Sequence, residues 1–317
     1  MKIKTTNALM KYLRDKHSIT IGGSSDKNTL FNVGYYHSYK GYRFFNNPLN
    51  KLNITSFDDI KAIYDFDNQI KSLLYKQMMS IETITKNRVL QIIMEQYNSN
   101  DFNHIINNRI KFDGNTDTIK SCIQLQSKIY NEISRGYKNS NSNIVKHFYS
   151  KGETIPLWAI FEMITLGVFG DIVHCMDYDT RGIISNNMGI DKSFDTNFVL
   201  PEKIIYALKP LRNSIAHNNI IYDVRFSDHG IDKTLMKYLE YKTNITGISF
   251  ETITDYIILF VFLLKSYKIS KKEINTFIND YIEVVENFRK SIDYSIFKSV
   301  IHPDFKNKMS KLKEYNK

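Results

Sequence analysis

The residues best suited to chemistry lie together in the run Leu211-Arg212-Asn213-Ser214-Ile215-Ala216-His217-Asn218-Asn219. An arginine and a histidine separated by four residues stand where a helix should end, because Asn218 and Asn219 tolerate left-handed backbone geometry. Asn213 and His217 are four apart, share a helix face and are spaced to hydrogen-bond. Arg212 lies about 140° around the helix from His217, yet its long side chain reaches the same cleft. This set suits cleavage of RNA without a metal. An imidazole titrating near neutrality takes the 2′-OH proton, a guanidinium grips the phosphate as charge builds on it, and Asn213 fixes the ring's tautomer. The same run also has a purely structural reading, in which the histidine is favoured by the helix dipole and the arginine is paired on the surface.

The elements that must position these residues are helical. Only 5 Pro and 13 Gly occur in 317 residues, which favours long helices over a turn-rich β-protein. From 57 to 98, Ile60, Ile63, Tyr64, Ile70, Leu73, Leu74, Met78, Ile81 and Ile84 recur at helical spacing, and Ser56 with Asp59 resembles a capping box. A run of roughly 60 Å predicts a break or bend. A second helix is expected over 117–135, followed by a loop at Asn139-Ser140-Asn141-Ser142-Asn143. A third opens at Thr154-Ile155-Pro156, with Thr154 as cap, and continues to Val168. Residues 177–200, rich in Asp, Asn, Gly and Ser, read as a surface loop. Helices resume over 201–216, with a kink expected at Pro210, and over 251–268 and 270–298. Glu82 and Glu162 sit in strongly apolar helical contexts, where an acid is costly unless paired; Glu162 reads as a salt bridge or an exposed helix edge.

Hydrophobic residues make up 42% and charged residues 24%, as in soluble globular chains. Cys122 and Cys175 have no metal-ligand spacing and suggest no disulfide framework. The start, Met1-Lys2-Ile3-Lys4, lacks a signal-peptide core, and the longest apolar stretch, Tyr256–Leu264, is too short to span a bilayer. A cytoplasmic protein is expected, with no membrane partner, no bound metal and no cofactor. The formal charge of +10 is uneven: residues 1–56 hold nine Lys/Arg against two acids, residues 301–317 hold five against two, and the middle is neutral. Basic ends suggest a polyanion partner, RNA being the commonest cytoplasmic one, or serve only solubility. The segment Tyr35–Phe45 interleaves aromatic and basic residues, as in proteins that stack single-stranded RNA. Tyr36, Lys40, Tyr42 and Arg43 are its candidate contacts, with Lys40 and Arg43 outward and about half the tyrosines packing inward.

Arg212-Asn213 followed by Ala216-His217-Asn218 resembles the signature of HEPN ribonucleases, and more closely that of the Abi-like family that includes AbiD and AbiF. Three further blocks appear in the family's order. They are Leu30-Phe31-Asn32-Val33-Gly34-Tyr35-Tyr36 with Gly41-Tyr42; Tyr64-Asp65-Phe66-Asp67 with Ile81-Glu82; and Ile155 to Met163 with Gly167. The resemblance implies an all-α fold, a HEPN helical-bundle core with an N-terminal extension and added helices. Composition and charge divide the chain into a basic aromatic element (1–55), a helical domain (56–300), which the resemblance makes HEPN-type, and a basic tail (301–317). The resemblance further implies an endoribonuclease of phage defence or a toxin, a homodimer that pairs two motifs, and a structured noncoding RNA partner. Arg212, Asn213 and His217 would be catalytic, supported by Glu82, Lys86 and Asn218. Lys86 stands where the family often has Arg, which keeps the charge but loses the planar fork. The alternative is an RNA-binding HEPN protein with weak or no catalysis. A toxin silenced by modification of a tyrosine two residues after the histidine is disfavoured, because that residue is Asn219.

Overall fold

The computed structural model describes residues 5–113, 116–138, 143–227 and 230–317, which form an all-helical protein with no strand among them. The expected polar loop after residue 138 falls almost wholly outside these residues.

The spine is α3 (Phe57–Tyr97), 41 residues long and about 61 Å at 1.5 Å per residue. It starts at a true capping box: Ser56 Oγ accepts the Asp59 amide while the Asp59 carboxylate accepts the Ser56 amide. It stops where Asn98 turns left-handed. Of the break or bend expected, a break does not occur: α3 is one continuous helix, covered by partners along its length. Earlier in the chain, α1 (Thr6–His17), α2 (Gly23–Val33) and a π-helical turn (Tyr36–Lys40) precede it. They enclose a small separate core of Met10, Leu13, Ile19, Ile21 and Leu30 against Phe57 and Ile60. This N-terminal element is therefore docked on the start of α3.

Beyond α3 come α4 (Phe102–Asp113), α5 (Thr116–Lys138), α6 (Asn143–Ser150), α7 (Leu157–Met163) and α8 (Leu166–Cys175). The single helix expected from Thr154 to Val168 is two. Pro156, not Thr154, stands at the first N-cap, and the chain turns extended at Ile164 before Thr165 caps α8 through the Val168 amide. The expected surface loop also contains a helix, α9 (Tyr178–Asn187), whose cap Asp177 accepts the Thr180 amide. Polar composition hid it because Thr180 and Ser185, both buried, help pack its inner face.

Next, α10 (Leu200–Ala216) packs on α8 and α3, running without interruption through Pro210. The remaining helices are α11 (Lys233–Thr243), α12 (Ile253–Ser266), α13 (Lys271–Ser291), α14 (Tyr294–Val300) and α15 (Phe305–Tyr315). Every residue of α12 from Ile253 to Leu264 is buried. Phe66 of α3 stacks on Phe288 of α13 at 4.2 Å.

The C-terminal segment is not a free basic tail. Phe305, Met309 and Leu312 of α15 enter the main core. Lys308 is fully buried, with Nζ 2.7 Å from both the Asp255 carboxylate and the Gly247 carbonyl. Asp255 also accepts the Ser249 and Phe250 amides, so its charge is held by several hydrogen bonds within the core.

Candidate functional site

The motif occupies the last turn and cap of α10. The helix ends at Ala216; His217 has left helical geometry (φ −97°, ψ 11°) but still donates its amide to the Asn213 carbonyl. Asn218 adopts the left-handed conformation (φ 53°), and Asn219 donates its amide to the Ser214 carbonyl. The helix end is thus closed in the manner expected from the two asparagines.

Asp67 on α3 holds the chain that follows. Its carboxylate, fully buried, accepts the Ile221 and Tyr222 amides at 2.8 Å each and the Tyr42 hydroxyl at 2.9 Å. Lys71, one turn along α3, lies 3.0 Å from the same carboxylate and donates to Asn218 Oδ1 at 2.9 Å. The left-handed residue beside His217 is therefore tied to the spine through a buried ammonium. Burial and the neighbouring Asp67 charge hold the Tyr42 hydroxyl firmly protonated, well above its ordinary range.

A second tether reaches Arg212. Its Nε donates to Glu82 Oε2 at 2.9 Å, and Glu82 Oε1 lies 3.0 Å from Lys86 Nζ, which also donates to the Ile164 carbonyl. Burial alone would raise the Glu82 carboxyl. Lys86 and Arg212 together outweigh that effect and hold it below the ordinary carboxylate range. The Glu82 side chain is 11% exposed and that of Arg212 34%. One edge of the guanidinium is thus fixed, while its Nη groups make no hydrogen bond among the described residues. An arginine oriented through Nε, with two terminal groups left over, is arranged to take a phosphate.

A profile of the Abi-like protein family matches residues 28–223. The chain belongs to that family. The matched stretch opens inside α2 and closes just after Tyr222, so it contains both tethers and the whole motif, and omits α11 to α15. No significant match was found among curated proteins or among solved structures.

Within this Abi-like chain, Arg212, Glu82 and Lys86 come together, while Asn218 belongs to the separate tether of Lys71 and Asp67. His217 is exposed, and its ring has no hydrogen-bond partner among the described residues. The expected side-chain bond from Asn213 to His217 is absent. Once His217 departs from helical φ/ψ, the four-residue register survives only in the backbone. Asn213 instead lines a cavity of about 570 Å³ with Lys203, Tyr206, Lys209, Pro210 and Phe226. Glu162 is exposed, the helix-edge reading.

The N-terminal aromatic block divides. Tyr36 and Lys40 are exposed, and half-buried Arg43 lies over the Tyr39 ring at 5.9 Å. Tyr42 is a correction: it is fully buried with its hydroxyl on Asp67, so it cannot stack on a base.

Three residues escaped the sequence reading. Asp67 and Lys71 are spaced as an i,i+4 pair, a visible signal, but nothing in that spacing shows that they are buried. Lys209 is an exposed cation one turn before Asn213. It passes so close to Gly167 that a Cβ there would meet its Nζ at 3.1 Å.

Proposed function

We propose that this protein is a metal-independent HEPN endoribonuclease of the abortive-infection class, in which Arg212 stabilises the phosphate and His217 moves the proton. The observation that carries the reading is a guanidinium fixed by Glu82 near the end of α10, on the same helix whose cap is an exposed histidine. The imidazole has no orienting partner among the described residues, which supports a site completed from outside the chain: a two-fold homodimer that brings two Arg212–His217 pairs together. The membership of the Abi-like family supports a role in phage defence or as a toxin. A structured noncoding RNA would then restrain or guide the enzyme in the cytoplasm, with Tyr36, Lys40 and Arg43 contributing to its grip. Among the described residues no helix is long and apolar enough to cross a membrane.

The same unoriented imidazole favours a second reading, an RNA-binding protein with weak or no catalysis. Incubation of the purified chain with total RNA in EDTA separates the two. Cleavage should occur, and His217→Ala should remove it by at least about 10²-fold while the fold persists. Cleavage by His217→Ala at the parental rate refutes the ribonuclease reading. Binding without cleavage by the parent chain establishes the second.

A further inference from the structure

An aromatic cleft lies on a part of the molecule that neither the motif nor the N-terminal block uses. It opens between the C-terminal half of α5 and α6, with a volume of about 620 Å³. That is within the range of sites that enclose small-molecule ligands, roughly 300–1,000 Å³. Tyr130, Tyr137 and Tyr149 line it, and all three rings are exposed. Tyr137 and Tyr149 meet edge to face at 5.9 Å, leaving ring faces uncovered. Tyr130 is held by its hydroxyl, which donates to Asn103 Oδ1.

The polar lining is cationic. Lys138 and Lys146 border the cleft and make no ion pair among the described residues. Among the described residues no acid lines it: Glu132 is engaged by Arg135, and Glu153 lines the adjoining smaller cavity beyond Tyr130 and Tyr149. Along 116–151, Lys120, Lys128, Arg135, Lys138, Lys146 and Lys151 face only Asp117 and Glu132 in the sequence. Exposed π-faces between unpaired cations match an unpaired polynucleotide, whose bases stack while its phosphates lie against the ammonium groups. An apolar protein segment would instead call for an aliphatic floor, and Ile133 is the only aliphatic side chain among the described lining residues.

We propose that the α5–α6 cleft is a binding site for single-stranded RNA that holds bases on Tyr137 and Tyr149 and phosphates on Lys138 and Lys146. The proposal rests on the reading of the protein as acting on RNA and assigns a second place where RNA is held. Stacking is sequence-tolerant, so the site selects unpaired over paired RNA rather than one sequence over another.

The test is fluorescence anisotropy with a labelled oligouridylate and a labelled RNA duplex of equal length, using the full chain carrying His217→Ala so that the probe survives. The oligouridylate should bind more tightly than the duplex. Tyr137→Ala with Tyr149→Ala should weaken its binding by about tenfold or more. Tyr137→Phe with Tyr149→Phe keeps both ring faces and should retain it. Lys138→Gln with Lys146→Gln should flatten the slope of log affinity against log salt by about 1.4, from two released counterions on a single strand. Unchanged affinity in the double alanine variant, or tighter binding of the duplex, overturns the proposal. Cleavage of total RNA by the parent chain without oligouridylate binding overturns it too, while leaving the ribonuclease reading intact. Neither cleavage nor binding of any RNA overturns both.

Discussion

Replacing Asp67 with alanine should be among the most damaging single changes available in this fold. The carboxylate is fully buried, accepts from the Tyr42 hydroxyl and the Ile221 and Tyr222 amides, and forms an ion pair with the Lys71 ammonium. Removing one member of a buried ion pair costs about 3–5 kcal/mol, because the other charge is left in low dielectric. Each buried donor stranded without an acceptor costs a further ~1–3 kcal/mol. These contributions do not add fully. Water entering the vacated volume recovers part of the loss, and Lys71 keeps its bond to Asn218 Oδ1. A net loss of at least about 4 kcal/mol is expected, a large share of the ~5–15 kcal/mol that stabilises a typical domain. Asp67→Asn keeps an acceptor for the two amides but not the charge, and should lose roughly half as much. Urea unfolding followed by far-ultraviolet circular dichroism measures both. A loss under about 1.5 kcal/mol for Asp67→Ala would refute the view that this carboxylate anchors the chain after the motif.

Two further predictions concern the other buried charges. Glu82→Gln should free Arg212 and lower the rate of RNA cleavage more than RNA affinity, while costing about 1–2 kcal/mol of stability, since Arg212 retains access to water. Because the Glu82 carboxyl sits below its ordinary value, its contribution is present above pH ~4.3 and is lost as pH falls through the lowered value. The stability gap between the parent and Glu82→Gln should therefore be flat from neutrality to about pH 5 and close in stronger acid; a gap that widens there contradicts the assignment. Lys308→Met strands the Asp255 carboxylate and should cost about 3–5 kcal/mol in the same urea assay. A loss below about 1 kcal/mol would mean that α15 is a dispensable tail.

The N-terminal aromatic run shows how far pattern reading reaches. Alternation of tyrosines with Lys40 and Arg43 announces rings near cations, and Tyr36 and Lys40 are indeed exposed. The pattern cannot say which ring turns inward. Tyr42 does, because Asp67, 25 residues on, offers a buried acceptor that only the docking of the π-helical turn on α3 brings within reach. The basic C-terminus misled in the same way. Lys308 counts as surface charge until Asp255, 53 residues earlier, is found beside it.

Local chemistry was legible in the chain by itself wherever cause and effect lie within a turn or two. The Ser56–Asp59 box that starts α3, the asparagines that end α10 and the scarcity of Pro and Gly behind the all-helical fold are of this kind. Family likeness carried Glu82 and Lys86 toward Arg212, across 130 residues that no spacing rule connects. Burial was decided only by tertiary structure. A charge in a sequence is the same whether water or a partner neutralises it, and the pairings of Asp67 with Lys71 and the Tyr222 amide, and of Asp255 with Lys308, exist only once the helices have packed.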